Sequence, residues 1–379
     1  MFPEEKIKNE VATMRFIQDH TAIPVPFVHH WGTQDESPLN IGPFIIMEYV
    51  NHEMDMIDAL NIPGLSHNDR PILNPNINEA TLEILYGQVA KILLQLSKLE
   101  LPLIGALEET EPWSWEVTRR PLSLPMNGLV RVGTVPRDKL PITTFNSSSK
   151  YLESLAGLHL DHLAHQRNDA VESKADCQRK YVARHLFQKL ANERRLLSTK
   201  YDKGPFKFWC DDLRPSNILL DANLQIVGVI DWEFSYAAPN EFTFAPPWWL
   251  LLEQPEYWKD GLDDWIQKYE DRLTEDQRLS CNMRESWANG DFWTVYAARK
   301  NFAFDCVFWK KLDPRFFGPD GRNTNTPPED TWMKRFGLLD ERTRVAMESF
   351  VDKKMAETET RVLAWDPDEY TLTQQARLP

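Results

Sequence analysis

Positive charge is in short supply in this chain. Its 379 residues hold 43 Lys and Arg against 57 Asp and Glu, a formal charge of −14. That balance argues against nucleic acid and anionic membrane surfaces as partners. No apolar run approaches the length needed to span a bilayer. The opening Met1-Phe2-Pro3-Glu4-Glu5-Lys6 is charged and lacks an apolar signal core. Cys177, Cys210, Cys281 and Cys306 are dispersed, with no C-x-x-C pair. They form no readable disulfide framework or zinc site and suit a reducing, cytoplasmic setting. The 15 glycines are scattered without a Gly-rich fingerprint, and no internal repeat or low-complexity tract is present. His29 and His30 have few histidines nearby and read as structural groups, not ligands.

What is present is a folded, aromatic-rich body: 42% hydrophobic residues, 14 Trp and 26 Pro, which excludes a disordered chain. Its most informative segment runs Trp209-Cys210-Asp211-Asp212-Leu213-Arg214-Pro215-Ser216-Asn217-Ile218-Leu219-Leu220-Asp221, followed by Ile226-Val227-Gly228-Val229-Ile230-Asp231-Trp232-Glu233. Phe206 to Trp209 and Ile218 to Leu220 are short apolar runs around a Pro/Ser loop, which predicts strand, loop, strand. Ile226 to Ile230 predicts a further strand that ends at Asp231.

Neighbouring strands would bring Asn217 and Asp231 to adjacent ends, within reach of one cation. Asp212 lies 5 positions before Asn217, and Asp231 lies 14 positions after it. This is the spacing of a kinase catalytic loop and its metal-binding aspartate. Asp212 fits the group that holds an attacking hydroxyl; Asn217 and Asp231 fit oxygen ligands for magnesium. Asp221 and Asn223 read as ordinary hairpin-turn residues. Asp211 is expected to be solvated, because adjacent side chains on extended backbone point opposite ways.

These residues resemble the aminoglycoside phosphotransferase family, relatives of choline kinases with a protein-kinase-like fold. The family's His-Gly-Asp-Leu-His-x-x-Asn stands here as Cys210-Asp211-Asp212-Leu213-Arg214-Pro215-Ser216-Asn217, with Ile230-Asp231-Trp232-Glu233 downstream. The resemblance implies Asp212 as catalytic base, Asn217 and Asp231 as Mg²⁺ ligands, and ATP as phosphate donor. It also covers Glu10 in a predicted helix and Phe44 to Val50, which looks like the strand leading to the nucleotide hinge. Glu48, Tyr49 and Val50 would contribute backbone contacts to the base. Cys210 departs from the family's histidine, so the packing that steadies the loop must differ. Arg214 replaces a position that is usually uncharged or histidine; a cation there could reach the transferring phosphate, and a solvated loop arginine is an equal alternative. The strands that would carry a Gly-rich loop and a lysine for Glu10 have no counterpart ahead of the first helix, and Lys6 and Lys8 share that helix with Glu10.

The expected architecture is α+β: a protein-kinase-like two-lobe fold with a truncated N-lobe over residues 1–60, a mostly helical C-lobe over 61–352 and a polar tail over 353–379. In the first segment Ile7, Val11, Met14 and Ile17 fall at helical spacing, followed by strands at Val25 to Trp31 and Phe44 to Val50. Asn78 caps a predicted helix with the stripe Leu82, Leu85, Val89, Ile92, Leu93 and Leu96. Pro112 to Pro141 reads as irregular, with helices resuming at Tyr151 to Gln166 and Lys180 to Leu197. The Trp-rich region from Pro246 reads as packing ahead of pocket lining. The acidic balance is compatible with a cationic small-molecule acceptor bearing a hydroxyl; Asp263 and Asp264 could help hold it, but exposed helix residues are the stronger reading of both. Two rivals remain: a non-catalytic pseudokinase-type binding or scaffold protein, and, ranked well below, a metal-dependent hydrolase built on Asp211, Asp212 and Asp231.

Overall fold

In the computed structural model, residues 1–65, 69–167, 169–257, 278–318, 330–360 and 372 are described. The chain begins with helix α1 (Pro3–His20), whose stripe of Val11, Met14 and Ile17 is buried. Its first turn suits a helix start. Pro3 has no N–H to leave unsatisfied, and Glu4 and Glu5 face the positive helix end. Glu5 takes both arms of the Arg120 guanidinium at 2.8 and 2.7 Å, fastening α1 to the body behind it.

Strands β1 (Val28–Gly32) and β2 (Phe44–Met47) pair antiparallel, with Trp31 opposite Ile45. Both are shorter than their apolar pattern. Pro24 and Pro26 withhold N–H groups from any earlier start. After Met47 only the Glu48 N–H continues the pairing, to the Phe27 carbonyl at 2.8 Å. A short strand β3 (Met54–Asp55) leads into helix α2 (Met56–Leu60).

Helix α3 (Glu79–Ser97) starts where Asn78 accepts the Ala80 N–H at 2.8 Å. Leu82, Leu85, Val89, Ile92 and Leu96 are buried, the first three in a cluster with Ile218, Leu220 and Trp249. Each such side chain taken from water contributes about 1.5–3 kcal/mol. Strand β4 (Glu100–Leu101) follows. The stretch after it departs from the irregular structure expected. It contains a hairpin of β5 (Ala106–Glu111) and β6 (Ser114–Arg119), then helix α4 (Leu124–Arg131), which Ser123 caps by accepting the Met126 N–H at 3.2 Å. The acidic, exposed face of the hairpin hides its pattern, since only Ala106, Leu107 and Val117 are buried in it. Helices α5 (Ser148–His165) and α6 (Lys174–Asn192) pack together. The second begins ahead of Lys180, at a Ser173 cap that accepts the Asp176 N–H.

Two small sheets position the site. In one, β7 (Phe206–Cys210) lies between β4 and β10 (Ser235–Ala238); in the other, β8 (Ile218–Leu220) lies between β3 and β9 (Ile226–Val229). Ile218 pairs with Val229, which sets the ends of β8 and β9 side by side. Gly228 is required by close approach, because a Cβ there would sit 2.9 Å from Val50 Cγ1. Val50 therefore packs on β9. Helices α7 (Asn240–Thr243), α8 (Arg278–Asn289), α9 (Asp291–Arg299) and α10 (Glu341–Thr360) complete the part needed below. In α10 the segment from Lys353 stays helical, with Lys354 fully buried and donating to the Ala164 and Gln166 carbonyls. Asp263 and Asp264 lie outside the described residues. Among the described residues no helix is long and apolar enough to cross a membrane.

Candidate active site

The loop between β7 and β8 is held from below and from the side. Asp211 N–H donates to the Phe234 carbonyl at 3.1 Å, extending the β7–β10 pairing by one residue. Its carboxylate is 3% exposed, contrary to the solvated position expected. Arg299 NH1 donates to Oδ1 at 2.7 Å and Trp209 Nε1 to the same oxygen at 3.0 Å, while the Tyr236 hydroxyl reaches Oδ2 at 3.4 Å. The side chains of Asp211 and Asp212 do diverge, but the far side of the strand is core. The guanidinium of Arg299 also stacks near Trp209 and Phe242, with ring centroids at 4.7 and 5.1 Å. This pair occupies the packing role left open by Cys210, whose thiol is buried and pushed up to about 12 by that burial. With its carboxylate committed to Arg299, Asp211 is unsuited to metal ligation, which removes the hydrolase site.

Asp212 sits above this floor. Burial, the largest cause, raises its carboxyl above the ordinary range, and Arg214 and Asn217 oppose the rise. Arg214 Nε lies 2.8 Å from Asp212 Oδ1, an oxygen with no hydrogen-bond partner among the described residues. The contact is an ion pair. Arg214 is exposed, with its guanidinium beside the Asp212 carboxylate. Leu213 is fixed by the Trp249 indole, which donates to its carbonyl at 2.6 Å. The sequence does not single out Arg299, since nothing local marks it, and it reads Trp249 only as packing.

Asn217 is buried and donates from Nδ2 to the Asp212 carbonyl at 2.8 Å. That bond leaves Oδ1 as the amide atom able to face a cation. Ile230 N–H donates to the Asn217 carbonyl at 3.0 Å, so the strand end expected to include Ile230 becomes the bridge to Asp231. Asp231 is exposed and holds a left-handed φ of 60°, a conformation that costs about 1–2 kcal/mol. Surrounding contacts hold it: Trp232 Nε1 donates to the Val229 carbonyl at 2.9 Å, and the Trp232 N–H donates to Glu10. The structure thus brings Asp212, Asn217 and Asp231 together. Among the described residues no group of three or more His, Cys, Asp or Glu is arranged around a metal position. The donors here are one amide oxygen and one carboxylate, a hard-oxygen set suited to magnesium when phosphate oxygens supply further ligands.

Glu10 reaches the same place from α1. It is 9% exposed, and burial, then Glu233 and Asp231, push it up to about 7. The nearby Lys6 pairs with Glu233 at 2.8 Å, and no described ion pair involves Glu10 itself. Glu48 and Tyr49 are exposed, Tyr49 to 79%, so this segment is not a buried strand end. The Glu48 N–H is bonded to Phe27 and the Val50 carbonyl to the His52 ring, at 2.8 and 2.9 Å. No turn, loop or cap bond among the described residues uses the Glu48 carbonyl or the Val50 N–H.

The sequence profile of the phosphotransferase enzyme family matches residues 2–273. The chain belongs to the phosphotransferase enzyme family. Phosphoryl transfer is the type of function that family name describes, and the α+β, kinase-like architecture expected above agrees with it. Clavilactone A biosynthesis cluster protein Y of Ampulloclitocybe clavipes is 24% identical over 253 residues, a match covering 65% of this chain. It spans 54% of that relative, about half its length. A crystal structure from Ralstonia eutropha JMP134, of a protein provisionally named as an aminoglycoside phosphotransferase, aligns at TM-score 0.35 and 12% identity over 94% of this chain and 84% of that one.

Proposed function

We propose that the chain transfers the γ-phosphate of ATP to a hydroxyl of a small molecule. The observation that carries this reading is the Asp212 Oδ1 oxygen. It is a buried carboxylate atom without a hydrogen bond, beside an asparagine clamped to the same loop. A hydroxyl donating to Oδ1 would be oriented toward the γ-phosphorus. As the new O–P bond forms and the bond to the β-phosphate oxygen breaks, the hydroxyl proton passes to Asp212 and ADP leaves. Asn217 Oδ1 and the Asp231 carboxylate would hold magnesium, which when bound offsets the charge of the phosphates. Arg214 supplies a planar cation matched to phosphate oxygens. The Glu48 carbonyl and Val50 N–H suit the donor and acceptor edge of a purine. We place the reaction in the cytoplasm, where the free cysteines would stay reduced.

One observation favours a second reading, a non-catalytic binding protein: Glu10 has no basic partner among the described residues, where an active kinase pairs this glutamate with a phosphate-gripping lysine. Thermal melting with and without MgATP, followed by a turnover assay, separates the two. The intact chain is expected to melt higher with MgATP, and Asp212→Asn to keep that shift while losing about 10²–10⁴-fold in kcat. A folded chain that gains no stability from MgATP sinks the catalytic reading.

A further inference from the structure

The two ends of the catalytic loop are anchored by more than one bond each. Asp211 is tied to Phe234 and Arg299, and Asn217 to Arg214 and Ile230. Asp212 and Leu213 lie between them, outside any helix or strand. Among the described residues, one hydrogen bond reaches the backbone of Asp212, Leu213 or Arg214 from a distant element. It is the Trp249 indole N–H, donated to the Leu213 carbonyl at 2.6 Å from 36 residues further along the chain.

Packing alone does not set the depth of Leu213. Its side chain lines a cavity of about 40 Å³ with Phe208, Trp248 and Trp249, so part of it has no neighbour to hold it. Trp249 is the firmer partner: it is 3% exposed, in one buried cluster with Leu82, Leu85, Ile218 and Leu220. A ring held on that many sides carries its N–H to one place. Without that donor the Leu213 carbonyl is a buried acceptor left unsatisfied, and the loop must shift to find water or another donor. One rigid peptide plane joins Leu213 to Asp212, so the shift carries the carboxylate with it.

We infer that Trp249 is a positioning residue for phosphoryl transfer: by holding the Leu213 carbonyl, its indole N–H places the Asp212 carboxylate relative to Asn217 and Asp231. The inference rests on the phosphotransferase reading for the reaction. It adds a side chain that acts through Leu213 and not on the reacting atoms.

The intact chain is given MgATP with water as acceptor, and ADP release is measured beside amide hydrogen exchange. Trp249→Phe keeps an aromatic ring and removes the donor. It should lower kcat about 10²-fold, the scale of an ångström of misplacement, and leave KM for MgATP unchanged. The Asn217 N–H, bonded to the Arg214 carbonyl at 2.9 Å, should exchange about tenfold faster, the scale of one hydrogen bond. The Val229 N–H, bonded to the Pro24 carbonyl on the metal-bearing strand pair, should keep its rate. Placing 3-benzothienylalanine at position 249 keeps both fused rings and exchanges the N–H for sulfur. It should reproduce both effects, which covers a phenylalanine variant that fails to fold. Tyr181→Phe removes a hydroxyl bond to the Thr343 carbonyl, far from the loop in sequence, and should change neither kcat nor Asn217 exchange. Unchanged Asn217 exchange in the position-249 variants overturns the inference, as does faster exchange with kcat unchanged. An equal fall of kcat in Tyr181→Phe, or a rise in KM with kcat intact, overturns it too. Faster exchange in a chain whose wild type releases no ADP upholds the hold on the loop and sinks the phosphotransferase reading instead.

Discussion

Beneath the catalytic loop, Asp211 meets the Arg299 guanidinium at 2.7 Å and accepts two further donors. Against α1, Glu10 is nearly as buried, yet faces Asp231 and Glu233 with only a backbone N–H and the more distant Lys6 to relieve it. Both carboxylates have left water. The first has a cation and three hydrogen bonds in exchange, and it serves as a fixed strut. The second pairs with no cation among the described residues and is pushed up to about 7, so it gains and loses a proton near neutrality. Burial alone therefore does not decide a carboxylate's behaviour; the partner within hydrogen-bond reach does.

Removing the partner from the strut is the most severe way to break this contrast. Arg299→Met leaves Asp211 buried and unpaired, and should destabilise the chain by about 3–5 kcal/mol in urea unfolding. The double change Asp211→Asn with Arg299→Met should recover most of that loss. A double variant as unstable as the single one would mean that the arginine acts through packing on Trp209 and Phe242 and not through charge.

The next effect is on pH dependence. Glu10 ionises ordinarily at 4.5 and in the folded chain at about 7. Between those values the folded state keeps a proton that the unfolded state has released, so stability falls as pH rises through the window. Above it the cost reaches about 3 kcal/mol. Glu10→Gln should flatten the slope and stabilise the chain at pH 8 by a similar amount. Unfolding curves from pH 4 to 8 that keep their slope in the variant would assign it elsewhere, with Glu241, also raised to about 7, as the next group to change.

The smallest change concerns the cation that α1 does supply. Lys6 and Glu233 pair at 2.8 Å with side chains about a quarter exposed, so Lys6→Met should cost under about 1 kcal/mol. It should nonetheless move the Glu10 window to higher pH, because Lys6 now favours the ionised form. A window that stays in place would show that Lys6 is paired too fully with Glu233 to be felt by its neighbour.

The part of the site visible from sequence was the part built from short-range geometry. Asp212, Asn217 and Asp231 lie on one loop and one strand pair, where spacing translates directly into position. Asp211 was misjudged because its partner, Arg299, is 88 residues away, and strand alternation says which way a side chain points but not what waits there. The bond from the Trp249 indole to the Leu213 carbonyl escaped for the same reason. The β5–β6 hairpin was missed because its exposed face is acidic and its turn rests on Trp113 in a left-handed conformation that no residue type announces. The α3 helix was legible in full, its Asn78 cap and apolar stripe being local signals.

Sequence by itself determined the elements with strong local signals, α1 and α3 among them, and the order of groups along the loop, because helix periodicity, strand alternation and capping act over a few residues. Tertiary structure decided which charges are shared. Whether a carboxylate is a strut, a base or a proton reservoir depends on atoms brought from distant elements to within about 3 Å, the distance at which hydrogen bonds form.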